Sequence, residues 1–220
     1  MREVVLDTET TGLDSARGHR IIEVGCVELE NHVPTGVTFQ RYVNPGIAIE
    51  RDAQAVHGRS NEDLADEPPF AAIVDDLLVF LADSPLVIHN AEFDLGFLNA
   101  ELARLDRPPL PAERAIDTVL LARRRFPGAP ANLNALCKRF AIDLSERALH
   151  GALLDARLLA AVYVELLGDR QAGLDLTARK ANAAAIQRAF RVPRPHAPSA
   201  AELAAHEAFL AKLGDPIWRC

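Results

Sequence analysis

The chain alternates short apolar runs with longer segments whose apolar residues recur at helical spacing. Val4-Val5-Leu6 is a short apolar run and reads as a buried strand. Residues 21–29 (IIEVGCVEL) and 38–43 read as two more strands, separated by a polar turn containing Asn31, Pro34 and Gly36. These three predict an antiparallel start, ended by Asn44-Pro45-Gly46. Residues 49–58 predict a short helix capped by Gly58. Over 70–82 the apolar positions 70, 73, 74, 77, 78 and 81 form one helical face, and Pro68-Pro69 mark its start. Leu86-Val87-Ile88 is a short buried strand. Phe93, Phe97, Leu98, Leu102 and Leu105 then line a second amphipathic helix, stopped by Pro108-Pro109. Shorter helices are predicted over 116–125 and 132–140, and a long apolar helix runs from just beyond His150 to Leu167. The order of elements is that of an α/β fold.

The length of 220 residues and a hydrophobic content of 49% fit one medium domain with an appendage. A core of that size needs no staples. No apolar run approaches the roughly 20 residues of a membrane span, and the N-terminus has no signal-peptide pattern. Cys26, Cys137 and Cys220 are scattered without metal-ligand spacing, which fits a reduced, cytoplasmic protein. Charge divides the chain. Residues 1–168 hold 26 acids against 16 Lys and Arg, whereas residues 169–220 hold 5 acids against 8. An acidic domain does not attract phosphate unaided. Either nucleic acid is not its substrate, or metal ions and a partner supply the positive charge.

Four acids stand out. Asp7 and Glu9 follow the first apolar run at i and i+2, so in a strand they project side by side. Two adjacent anions repel, and a divalent cation between them reverses the sign, with hard oxygen ligands suiting Mg²⁺ or Mn²⁺. Taken alone, the pair also reads as two hydrated acids at a strand end. Asp94 falls in the first turn of the helix after the Leu86-Val87-Ile88 strand, where it also suits the helix dipole. Asp155 lies inside an apolar helix and there requires a cation or strong hydrogen bonds. His150 precedes that helix on a loop, while Asp155 is fixed on it. Asp52 and His57 flank the short helix, where a lone Asp and a lone His are ordinarily just solvated.

The stretches DTETTG at 7–12, HNAEFD at 89–94 and HGALLDA at 150–156 resemble the DEDDh, or DnaQ-like, exonuclease family. Any one of them is a weak signal, but all three in order form a specific one. The resemblance covers about residues 1–168 and is strongest to the branch that proofreads for bacterial DNA polymerase III. It implies a ribonuclease H-like mixed β-sheet flanked by α-helices. It implies two divalent ions, Mg²⁺ or Mn²⁺, held by Asp7, Glu9, Asp94 and Asp155, with Asp7 shared between them. It further implies His150 as general base and 3′→5′ release of nucleoside monophosphates from a frayed single-stranded DNA end. Asp52 and His57 match the positions that contact the terminal nucleotide, together with Asp7, Glu9 and Asp155; Asp stands at 52 where the family usually carries Glu, one methylene longer.

Beyond residue 168 the composition changes. Gln171, Leu174 and Leu176 fit a Q-x-x-L-x-L peptide of the kind that docks on a sliding clamp, and an end-of-helix linker is the alternative. Residues 169–199 are expected to form a flexible linker, basic and Pro-containing over 177–198, with some helix near 178–190. Residues 200–213 carry Leu203, His206, Leu210 and Leu213 at near-helical spacing, and Trp218 follows. An isolated helix of about 14 residues is marginal in water, so its apolar face needs a partner. The resemblance makes residues 200–220 the segment that binds the alpha subunit of DNA polymerase III. Two other functions fit less of the chain. A ribonuclease or oligoribonuclease of the same group leaves the tail unexplained, and a non-catalytic scaffold between polymerase and clamp gives no reason for five catalytic-type residues.

Overall fold

In a computed structural model of the protein, residues 1–145, 147, 149–168 and 197–213 are described. The chain divides into two compact units, Met1–Leu174 and Asp175–Cys220. The first is built on five strands: β1 (Arg2–Thr10), β2 (Ile21–Glu30), β3 (Val33–Tyr42), β4 (Leu86–Ile88) and β5 (Ala115–Asp117). Their spatial order is β3-β2-β1-β4-β5. β1, β2 and β3 pair antiparallel, while β4 pairs parallel with both β1 and β5. The helices of this unit are α1 (Arg51–His57), α2 (Phe70–Leu81), α3 (Ala91–Arg104), α4 (Thr118–Arg125), α5 (Leu133–Arg139) and α6 (Ala152–Leu167).

Strand parity assigns the two faces of the sheet. Val4, Leu6, Val24, Cys26, Leu86 and Ile88 pack with α2 and α3, through Phe70, Ile73, Leu77, Leu98 and Leu102. Val5, Val27, Leu29 and Val87 pack with α4, α5 and α6, through Ala122, Leu136, Ala156, Leu159 and Tyr163. β1 runs on past its apolar run to Thr10. Asp7 and Glu9 share the parity of Val5 and therefore lie on the α6 face.

Two expected boundaries differ. The polar turn after β2 is only Asn31-His32, both left-handed at φ 51° and 66°. A two-residue loop with positive φ at both positions matches the twist of the flanking strands. Pro34 and Gly36 fall inside β3 instead. β3 is an edge strand, so a residue without an N–H costs no bond on its outer side. The helix expected over 116–125 begins only at Thr118, because residues 115–117 extend the sheet as β5. Asp117 ends that strand and caps α4, its carboxylate accepting the N–H groups of Val119 and Leu120.

In the second unit, α7 (Ala200–Leu210) opens with a capping box in which Ser199 and Glu202 each accept the other's backbone N–H. Leu203 and Phe209 on it are more than half exposed. The peptide Gln171–Leu176, most of the expected linker and Trp218 lie outside the described residues. No described helix is long and apolar enough to cross a membrane.

Candidate active site

The sheet topology decides where carboxylates can meet. β1, β4 and β5 run parallel, so their C-terminal ends share one edge, and α3 and α4 begin there. Crevices at the carboxyl ends of parallel strands are the usual ligand site of open α/β sheets. Asp7 and Glu9 leave that end of β1, and Asp94 sits in the first turn of α3. Asp155 sits in the first turn of α6, which packs on the same face as Asp7. Both helical acids lie at helix N-termini, where the macrodipole favours negative charge.

A glycine sets the approach of α6. Gly25 pairs with Asp7 across β1 and β2. A Cβ at this position would lie 2.2 Å from both the Ala152 carbonyl carbon and the Leu153 nitrogen. The first turn of α6 thus rests directly on the β2 backbone, which brings Asp155 over Asp7. The loop before α6 is fixed from another side. The His150 N–H donates to the Val56 carbonyl at 3.1 Å, tying the loop to α1.

The resulting cleft is lined by Asp7, His89, Asn132, Leu133, Asn134, Arg147, His150 and Asp155. Ligand atoms of Glu9, His150 and Asp155 all lie within 4.8 Å of one another. Asp94 is buried, and its Oδ1 accepts the Thr8 hydroxyl at 2.7 Å. His57 is also buried. Its Nδ1 accepts the Arg59 N–H at 3.1 Å, so Nε2 carries the proton of the neutral ring. That Nε2 has no hydrogen-bond partner among the described residues. Burial pulls the ring's pKa down, against the opposing effect of the Thr10 backbone. Asp52 lies in the first turn of α1 and is exposed, and no described contact joins it to the other acids.

Burial and mutual repulsion dominate the electrostatics of the cluster. Burial pushes the Asp7 carboxyl well above the carboxylate range, with further upward pushes from Asp94, Glu9 and Asp155. Glu9 is raised to about 8, first by burial and then by Asp155, Glu23 and Asp94. Asp94 is raised to about 7 by burial, in spite of the Thr8 hydrogen bonds. Asp155 goes the other way. Burial would raise it, but hydrogen bonds from Arg147 and His150 and the charge of Arg147 hold it below the usual range. The Arg147 guanidinium grips both Asp155 oxygens at 2.6 Å and is itself almost completely buried. Oxygen-rich donors that crowd together, with a cation already drawn to one of them, fit a hard divalent ion.

A family model described as Exonuclease (RNase_T) matches residues 4–163. The DNA polymerase III subunit epsilon of Rickettsia felis is 54% identical over 179 residues, covering 80% of this chain and 78% of that protein. The same subunit of Rickettsia typhi is 46% identical and covers 97% of each chain. The chain belongs to the exonuclease family and, within it, to the epsilon subunits of DNA polymerase III. Solved structures agree with this exonuclease fold. Exonuclease X in complex with 5′ overhanging duplex DNA superposes with a TM-score of 0.58 at 27% identity, covering 76% of this chain and 91% of that one. The nuclease domain of 3′hExo, a DEDDh family member bound to rAMP, gives 0.65 at 21% identity, over 76% and 92% of the two chains.

The structure brings together Asp7, Glu9, Asp94, Asp155 and His150, with His57 beside them and Asp52 apart. Arg147, Asn134 and His89 were not singled out in the sequence. The pointer to Arg147 was indirect: a carboxylate in an apolar helix demands a cation, and Arg147 stands eight residues before Asp155.

Proposed function

We propose that this exonuclease is the proofreading subunit of a replicative DNA polymerase, removing mismatched 3′-terminal nucleotides as nucleoside monophosphates. The observation that carries the reading is the meeting of Asp7, Glu9, Asp94, Asp155 and His150 at one sheet edge, in a chain matched along 97% of its length to an epsilon subunit. Asp7, Glu9, Asp94 and Asp155 are the residues that would hold two divalent ions, Mg²⁺ or Mn²⁺. Bound ions of this kind supply Lewis acidity at the scissile phosphate and lower the pKa of water.

The protein's own groups do the rest. His150 stands within reach of Glu9 and Asp155 ligand atoms and is suited to take the proton of the attacking water. The buried Nε2–H of His57 has no hydrogen-bond partner among the described residues, and a terminal nucleotide supplies acceptors for it. Asp52 is assigned to the same nucleotide on the family pattern alone. α6 and Gly25 fix Asp155 against Asp7, so the acids need no rearrangement to converge.

The substrate is a frayed single-stranded 3′ end of DNA. The polymerase III alpha subunit is proposed to bind residues 200–220, and the sliding clamp Gln171, Leu174 and Leu176. Residues 169–199 link these to the exonuclease domain, residues 1–168. A bacterial replication subunit works in the cytoplasm. Asp7→Ala and Asp155→Asn test the site. Each should abolish Mg²⁺-dependent digestion of single-stranded DNA with the far-UV circular dichroism unchanged. Near wild-type digestion by either variant contradicts the assignment.

A further inference from the structure

Arg147 is placed to do more than line the cleft. Its Nε donates to Asp155 Oδ1 and its Nη2 to Oδ2, each at 2.6 Å. Nη2 also lies 2.9 Å from His150 Nδ1, and Nη1 donates to Asn134 Oδ1. The guanidinium is thereby anchored on three residues, and its side chain is 6% exposed. Both oxygens of Asp155 are engaged, so a cation that takes the same lone pairs competes with an Arg147 N–H. His150 Nδ1 stands between the two, 2.9 Å from Arg147 Nη2 and 3.1 Å from Asp155 Oδ2, and in the tautomer that leaves Nδ1 unprotonated its lone pair faces the guanidinium.

We propose that Arg147 is a built-in counter-cation of the metal-free site, which a divalent ion displaces from Asp155 on binding. The inference rests on the reading of Asp155 as a metal ligand. The physical reason is a buried carboxylate. Left without a cation, Asp155 is strongly unfavourable in its apolar helix. Arginine meets that need without losing its proton, because its pKa lies above about 12. It therefore leaves Asp155 by exchange for another cation, not by titration. One exchange has two effects, because the same guanidinium covers an Asp155 ligand atom and the His150 ring nitrogen. Loading the site frees both, so the base is uncovered only when the ion is present.

The test is calorimetric titration of Mn²⁺ into the full chain, stripped of metal beforehand, for wild type and Arg147→Met. With the competitor removed, the variant should bind the ion about tenfold more tightly, a difference of about 1.4 kcal/mol. Without metal it should melt below wild type, and saturating Mn²⁺ should narrow that gap. Equal or weaker Mn²⁺ binding by Arg147→Met overturns the exchange and leaves Arg147 a fixed strut. If that variant does not fold, the arginine Nε–H resonance of wild type decides. It should exchange slowly with solvent in EDTA and quickly with Mg²⁺, whereas protection unchanged by Mg²⁺ overturns the proposal. Wild type that binds no ion at these carboxylates contradicts the proposed function itself, a result distinct from tight binding without gain in the variant.

Discussion

Glu9 shows what one residue contributes to the site and its cost to the fold. Its carboxyl is raised from an ordinary value of 4.5 to about 8. Without metal, the folded chain therefore holds this proton more tightly than the unfolded chain does. That contribution is fully present below about 4.5 and is lost as pH rises through about 8. Glu9→Gln copies the protonated form. In EDTA the variant should melt with wild type at pH 5 and above it at pH 9, and saturating Mg²⁺ should favour wild type at pH 9. A difference in Tm that is the same at both pH values contradicts this description of Glu9. His150→Ala should slow hydrolysis by about 10²–10⁴-fold and flatten the acidic limb of the pH–rate profile. A limb unchanged in the variant removes His150 as the base. These acids and His150 were legible in the sequence through three stretches, 7–12, 89–94 and 150–156, that together resemble the DEDDh family, since alone Asp7, Glu9 and Asp94 also read as hydrated or helix-dipole acids. Arg147 was not, since an arginine in a polar loop carries no pattern, and only its long-range partners Asn134 and Asp155 give it a role.

Among the elements, the contact between α6 and β2 governs the geometry of the cleft. A methyl group on Gly25 meets backbone rather than a movable side chain. Gly25→Ala should therefore shift the first turn of α6, with an overpacking cost of about 1–3 kcal/mol and a Tm several degrees lower. The shift also moves Asp155, and a misplacement of about 1 Å can cost about 10²-fold in rate. Unchanged Tm and rate in this variant would show that α6 adjusts freely and that Gly25 does not set the site. The strand pattern IIEVGCVEL revealed β2 but not this contact, because a glycine in a strand signals close approach without naming the neighbour. The same limit hid β5. Three residues have no period of their own, and Ala115–Asp117 becomes a strand only because β4 offers a parallel edge. Long apolar periodicity was decisive by contrast, as in α2, where Phe70, Ile73, Val74, Leu77 and Leu81 of the expected face are buried and Leu78 is half-buried.

At the scale of the whole molecule, an acidic chain of net charge −7 is assigned to a polyanionic substrate. The proposed metal site bears on this, since two divalent ions would offset the four clustered carboxylates before DNA arrives. The same view separates chemistry from recruitment. None of the proposed metal ligands lies beyond Asp155, and α7 with its exposed Leu203 and Phe209 belongs to the second unit. A chain ending at residue 177 should keep its hydrolysis of short single strands and lose co-elution with the polymerase alpha subunit. Retained co-elution, or a clearly lower Tm than the full chain, contradicts the tethered arrangement. The central claim is proofreading by a metal-dependent 3′→5′ exonuclease. Its most direct measurement is the release of nucleoside monophosphates by the purified chain with Mg²⁺, from a primer-template with a mismatched 3′ end, from the matched duplex and from RNA of the same sequence. The mismatched DNA end should be degraded fastest, and Asp7→Ala should degrade none of the three. Faster degradation of the RNA, or equal rates on matched and mismatched ends, contradicts the claim.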